Sequence, residues 1–141
     1  MLAKAFDERL QRGIVLRLQD YNLPSGQKRD KFFLVLNRDC AAPVIHHFLT
    51  TSKVSKFQAL PWGRSEGVPI PAGTYPKMPL ETMIDCHDRL PPLDREALMD
   101  AYCDGACDIV GELDAMRLGQ VDLIITKSRI IPPATKRLIL P

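Results

Sequence analysis

The sequence contains no apolar run approaching the roughly 18–20 residues that a bilayer-spanning helix needs. A membrane span is therefore not expected. The opening residues include Asp7 and Glu8 where a secretory signal would carry its apolar stretch, so a cytoplasmic location is the expectation. No Cys-x-x-Cys pair occurs. Cys103 and Cys107 are four apart with Gly105 between them, and the adjacent His46 and His47 would point to opposite faces of a strand. Neither a metal nor a cofactor is expected, and Cys40, Cys86, Cys103 and Cys107 read as reduced thiols packed as small hydrophobes. The residual metal reading is a zinc enzyme using Cys86, His87 and Cys103 or Cys107. Internal repeats and low-complexity tracts are also missing.

Strong net charge is lacking too. The chain of 141 residues carries +2, which by itself implies no nucleic-acid partner. The distribution is more informative: residues 1–64 hold eleven Lys/Arg against five Asp/Glu, and residues 65–141 hold eight against twelve. A basic front half has the right sign for RNA or DNA. With 45% hydrophobic and 26% charged residues the composition is globular, and one domain over 1–141 is the simplest organisation.

The chain is organised around residues 26–53. Two apolar runs, 31–37 and 44–51, each have the length and β-branched or aromatic content of a buried strand. Residues 38–43, with Asp39 and Pro43, favour a turn between them. Lys28, Arg29 and Lys31 enter this hairpin, and Thr50, Thr51, Ser52 and Lys53 leave it. Cations and hydroxyls at the ends of rigid strands suit a phosphate-contacting surface.

Elsewhere, Leu2, Phe6 and Leu10 recur at helical spacing, so residues 1–12 form an N-terminal helix or arm. Ile14, Leu16 and Leu18 alternate as a half-buried strand, and residues 20–29 form a loop. Residues 57–62 read as a short strand. Residues 63–79 hold so many Gly and Pro that only turns and edge-strand fragments survive, with Trp62 at their start as a lid over the core or a base-stacking group. Residues 80–86 read as a strand followed by the polar cluster His87, Asp88 and Arg89. Residues 93–102 carry a helical stripe, 106–113 a last strand, and Asp114 caps a helix through Lys127. Pro132 and Pro133 set off a tail, 132–141, with Lys136 and Arg137 exposed. The predicted fold is mainly β with peripheral helices: a small, bent antiparallel barrel with a late inserted helix and a C-terminal helix.

The order of these signals resembles the PemK/MazF family of toxins from bacterial toxin–antitoxin modules. Arg12-Gly13-Ile14-Val15 is similar to that family's opening strand, and Phe33-Leu34-Val35-Leu36-Asn37-Arg38-Asp39 to its second. Thr51-Ser52 matches the end of its third strand, Ile84-Asp85-Cys86 partly echoes a later one, and Gly111-Glu112-Leu113 its closing strand before a helix. The resemblance covers roughly residues 12–128. It implies an SH3-like barrel, a homodimer and, in active members, metal-independent endoribonuclease activity. There a base takes the ribose 2′-hydroxyl proton while a cation stabilises the phosphorane.

Active members carry an arginine followed by proline just before the second strand; here Lys31 and Phe32 stand there, keeping the charge but losing the guanidinium fork. The family's Glu and His of the preceding loop have no counterparts among Ser25, Gly26 and Gln27. Its later Asp falls near Cys86 or His87. The catalytic candidates that follow are Lys31, Thr51, Ser52 and His87. The nucleic-acid-binding candidates are Lys28, Arg29, Arg38, Lys53 and Arg89. An RNA-binding, toxin–antitoxin-like protein with a degenerate ribonuclease site is the first reading. The alternative is an inactive SH3-like barrel that binds a protein, such as an acidic antitoxin-like partner, to its basic rim.

Overall fold

A computed structural model describes residues 1–87 and 90–141, so Asp88 and Arg89 of the predicted polar cluster lie outside the described residues. Six strands form one curled antiparallel sheet, in the order β5 (Gly67–Ile70), β6 (Thr82–Asp85), β4 (His47–Thr51), β2 (Lys28–Val35), β1 (Ile14–Asn22) and β8 (Cys107–Glu112). The short strands β3 (Val44–Ile45) and β7 (Leu93–Asp94) pair separately. Five helices complete the chain: α1 (Leu2–Arg9), α2 (Val54–Gln58), α3 (Arg95–Cys103), α4 (Ala115–Lys127) and α5 (Pro133–Ile139).

The unbroken apolar run after Lys31 has a simple cause. Successive side chains of a strand point to opposite faces, and both faces of β2 are covered. Leu34 and Leu36 pack with Phe48, Val68 and Ile84 against Val121 and Ile125 of α4 and Ile139 of α5. Phe33 and Val35 pack on the other face with Leu16, against Phe6, Leu10 and Leu98 from the α1–α3 side. The architecture is therefore mixed α/β rather than mainly β, a correction forced by helices on both faces of the sheet.

The two edges of the sheet approach each other without backbone pairing. Tyr75, in the segment after β5, donates its hydroxyl to the Glu112 carbonyl of β8 at 2.9 Å. A Cβ on Gly111 would meet the Tyr75 ring at 2.5 Å, so only glycine admits this contact. Lys77 pairs with Asp108 at 3.3 Å, and Arg117 of α4 donates to the Pro69 carbonyl of β5 at 3.0 Å. Side chains thus cover both open edges, which would otherwise present unpaired backbone to other chains.

Three local expectations change. Residues 57–62 are not a strand: Phe57 is the buried residue of α2, and turns follow. The apolar residues there fit either form, and no alternation opposes a helical turn. Leu93 belongs to β7, and the helix begins at Arg95. The 132–141 tail is α5. Pro133 stands at the first helical position, where its missing N–H costs nothing, so the proline pair starts a helix rather than ending order. Lys136 is half-buried and donates to the carbonyls of Thr126 and Ser128 at 3.0 and 2.7 Å. Arg12 donates to the carbonyls of Leu36 and Ile139 and pairs with Asp122, tying α5, β2 and α4 together. The Asp114 cap is present, accepting from the Arg117 N–H at 2.8 Å.

Because α5 closes one core, Ile139→Ala is expected to cost about 2–4 kcal/mol, read as a lowered thermal midpoint with the sheet's circular dichroism retained. A second expectation concerns His47, buried on the other face and joined through Nε2 to the Tyr21 hydroxyl at 2.7 Å. Burial pushes its imidazole down from 6.5 to about 4. The depressed folded-state value means full stability above about pH 6.5 and progressive loss as pH falls through 4. The loss should reach ~3 kcal/mol, and His47→Gln should remove most of that decline in acid denaturation.

Candidate nucleic-acid interface

The β2–β4 register fixes what shares a face. Phe33 stands opposite Leu49, Leu34 opposite Phe48 and Val35 opposite His47. Carried two residues outward within the same strands, this register sets Lys31 opposite Thr51, the side chains on one face. Thr51 is in turn opposite Met83 of β6, so Asp85, two residues on, shares that face. Lys31 and Thr51, with Asp85 further along β6 on the same face, form a half-buried polar strip, and His87 follows beyond the end of β6.

Lys31 is the focus of the strip. Burial lowers its pKa from 10.5, the positive charges of Arg29 and Lys53 lower it further, and Asp85 opposes them. Among the described residues its ammonium makes no hydrogen bond or ion pair. The cations packed elsewhere behave differently: Arg12, Arg17, Arg95 and Arg117 each meet a carboxylate. The Thr51 hydroxyl accepts from the Lys53 N–H at 3.2 Å, which leaves its own proton available to an anion. A phosphate between Lys31 and Thr51 would gain a charge-assisted bond and a neutral one.

At the other end of the strip His87 is held on three sides. Its backbone N–H donates to Asp85 Oδ1 at 3.0 Å, its Nδ1 meets Glu66 Oε2, and its ring stacks on Trp62 at 4.0 Å with planes 12° apart. The Cys86 N–H donates to the Glu66 carbonyl at 2.9 Å, which fixes the 60s loop beside β6. Gly67 permits this closeness, because a Cβ there would lie 2.5 Å from the Phe57 ring.

The remaining candidates divide. Arg29 and Lys53 belong to the electrostatic field around Lys31, and Lys28 lies exposed at the outer end of β2. Ser52, just beyond the end of β4, lines a cavity of about 180 Å³ together with Lys31, Phe32, Thr50 and Thr82. Arg38 sits beyond the far end of β2, near Asp7, Arg12 and Arg95, and is not part of the strip. Arg89 lies outside the described residues. Among the described residues no group of three His, Cys, Asp or Glu could hold a metal. Burial raises the Cys86 and Cys107 thiols, the latter to about 12, and all four cysteines are free.

Glu66 was not legible as a site residue. It stands in a Gly/Pro-rich loop 21 positions before its partner, with no local pattern to single it out. Trp62 was marked by its loop, but its partner is an imidazole rather than the core alone.

No known protein-family model matches this chain, and no curated protein matches it. No helix among the described residues is long and apolar enough to cross a membrane.

The half-burial of Lys31 and the like charges of Arg29 and Lys53 near it carry a stability cost. Lys31→Met is therefore expected to raise stability by about 0.5–1 kcal/mol in urea denaturation while removing the anion site.

Proposed function

We propose that the strip is an RNA-backbone site, and that the chain is an RNA-binding protein of the PemK/MazF kind with metal-independent endoribonuclease chemistry. The observation that carries this reading is Lys31: a half-buried ammonium that makes no hydrogen bond or ion pair among the described residues, opposite Thr51, with Arg29, Lys53 and Asp85 in its electrostatic field. That juxtaposition is the one the family resemblance requires of its second and third strands. The curled antiparallel sheet, with its edges closed by side chains, supports an SH3-like barrel as the scaffold.

In this reading Lys31 and Thr51 grip a phosphate, and Arg29 and Lys53 hold its neighbours. His87 takes the proton of a ribose 2′-hydroxyl, and the 2′-oxygen forms a bond to phosphorus. The bond from phosphorus to the 5′-oxygen breaks, and that oxygen takes a proton from solvent. Lys31 stabilises the charge that builds on the phosphorane, less effectively than a forked guanidinium. The homodimer belongs to the same proposal.

A second reading rests on that same lysine. With no guanidinium at the position, the strip can serve as a docking site for an acidic, partly disordered segment of a partner protein, without chemistry.

Purified protein incubated with mixed RNAs without divalent metal separates the two. Binding with slow cleavage is expected. Lys31→Ala and Thr51→Ala should each weaken RNA binding, the former about tenfold, and the double variant should lose less than the sum. Lys31→Arg should tighten binding and raise cleavage. Intact RNA at high protein excess ends the nuclease claim, and RNA affinity unchanged in both variants ends the RNA claim.

A further inference from the structure

We infer that Glu66 is a positioning residue that sets the tautomer of His87, with Trp62 as the clamp that holds the ring. The inference rests on the RNA reading for its purpose, though its geometry stands apart from it.

Neutral imidazole carries one N–H, and the nitrogen that keeps it is chosen by the partner of the other. Glu66 Oε2 lies against Nδ1, and a carboxylate can only accept. In the neutral ring Nδ1 therefore bears the proton, and Nε2 is the lone-pair nitrogen. Among the described residues Nε2 has no protein partner, while the ring is about one quarter exposed. A base with one nitrogen bonded to an acid and the other open to solvent is arranged to take a proton from outside.

Rotation of the ring would undo that choice, and here it is restrained. The indole of Trp62 lies parallel to the imidazole, and the backbone N–H of His87 is fixed by Asp85. Trp62 also holds its Nε1 buried without a partner among the described residues. That unpaired N–H carries a cost which core packing alone does not require. Glu66 itself is held through its carbonyl by Cys86 of the strand end. When Nε2 receives the 2′-hydroxyl proton, the cationic ring formed lies against the Glu66 carboxylate, which stabilises it in the transition state.

The test is the tautomer of His87, read by long-range proton–nitrogen correlation on the ¹⁵N-labelled full chain. His87→Gln identifies its signals among the three histidines. The wild type is expected to show Nδ1–H with unprotonated Nε2, and Glu66→Ala to shift the population toward Nε2–H. The same variant should slow RNA cleavage at least tenfold with RNA affinity changed less than twofold, whereas Glu66→Asp should recover part of the rate. Nε2–H in the wild type overturns the inference without any variant, which covers the case that Glu66→Ala does not fold. An unchanged tautomer in folded Glu66→Ala also overturns it. A wild type with the expected tautomer that binds RNA but leaves it intact overturns the catalytic purpose. Loss of the RNA claim itself is read separately, from Lys31→Ala and Thr51→Ala.

Discussion

The pairing of β2 with β4 is the constraint on which the rest depends. Phe33 to Leu36 are all buried, alternately on the α1–α3 side and the α4–α5 side. A slip of one residue would exchange two differently shaped cores at once, so the register is held from both faces. The same register carries Lys31 and Thr51 to one face at the open end of the hairpin. The polar strip is thus a by-product of core packing: its geometry is set by residues that never touch a ligand.

Rigid support of this kind suits a site that costs stability. Lys31 is desolvated and lies in the field of two like charges, Arg29 and Lys53, and a loop would relax away from such an arrangement. Strand residues flanked by two cores cannot. The His87 end is built differently. It depends on a loop brought beside β6 by Gly63 and Gly67, where a Cβ would lie 1.9 Å from the Phe57 carbonyl and 2.5 Å from its ring. One end of the strip is fixed by the sheet and the other by close backbone approach.

Much of this was legible in the sequence because it is local. The strand that begins at Ile14, the apolar run after Lys31, the Asp114 cap and the turn after β2 follow from short-range periodicity and turn chemistry, whereas the expected strand 44–51 divides into β3, which pairs with β7, and β4, which pairs with β2. What was not legible depends on contacts far apart in the chain. Helices on both faces were hidden because an apolar run does not say how many layers cover it. The docking of α5 was hidden because two prolines mark a helix start as readily as a break. The partnership of Glu66 with His87 follows from a loop path that no local pattern encodes.

The central claim is that Lys31, with Arg29 and Lys53, forms a phosphate-binding surface for RNA. The salt dependence of RNA binding by the intact protein tests it most directly. Three phosphate contacts on a single strand predict that the logarithm of the affinity falls against the logarithm of salt with a slope of about −2. Lys31→Met should make that slope shallower by about 0.7, one contact's share. An affinity independent of salt, or a slope that Lys31→Met leaves unchanged, would contradict the account.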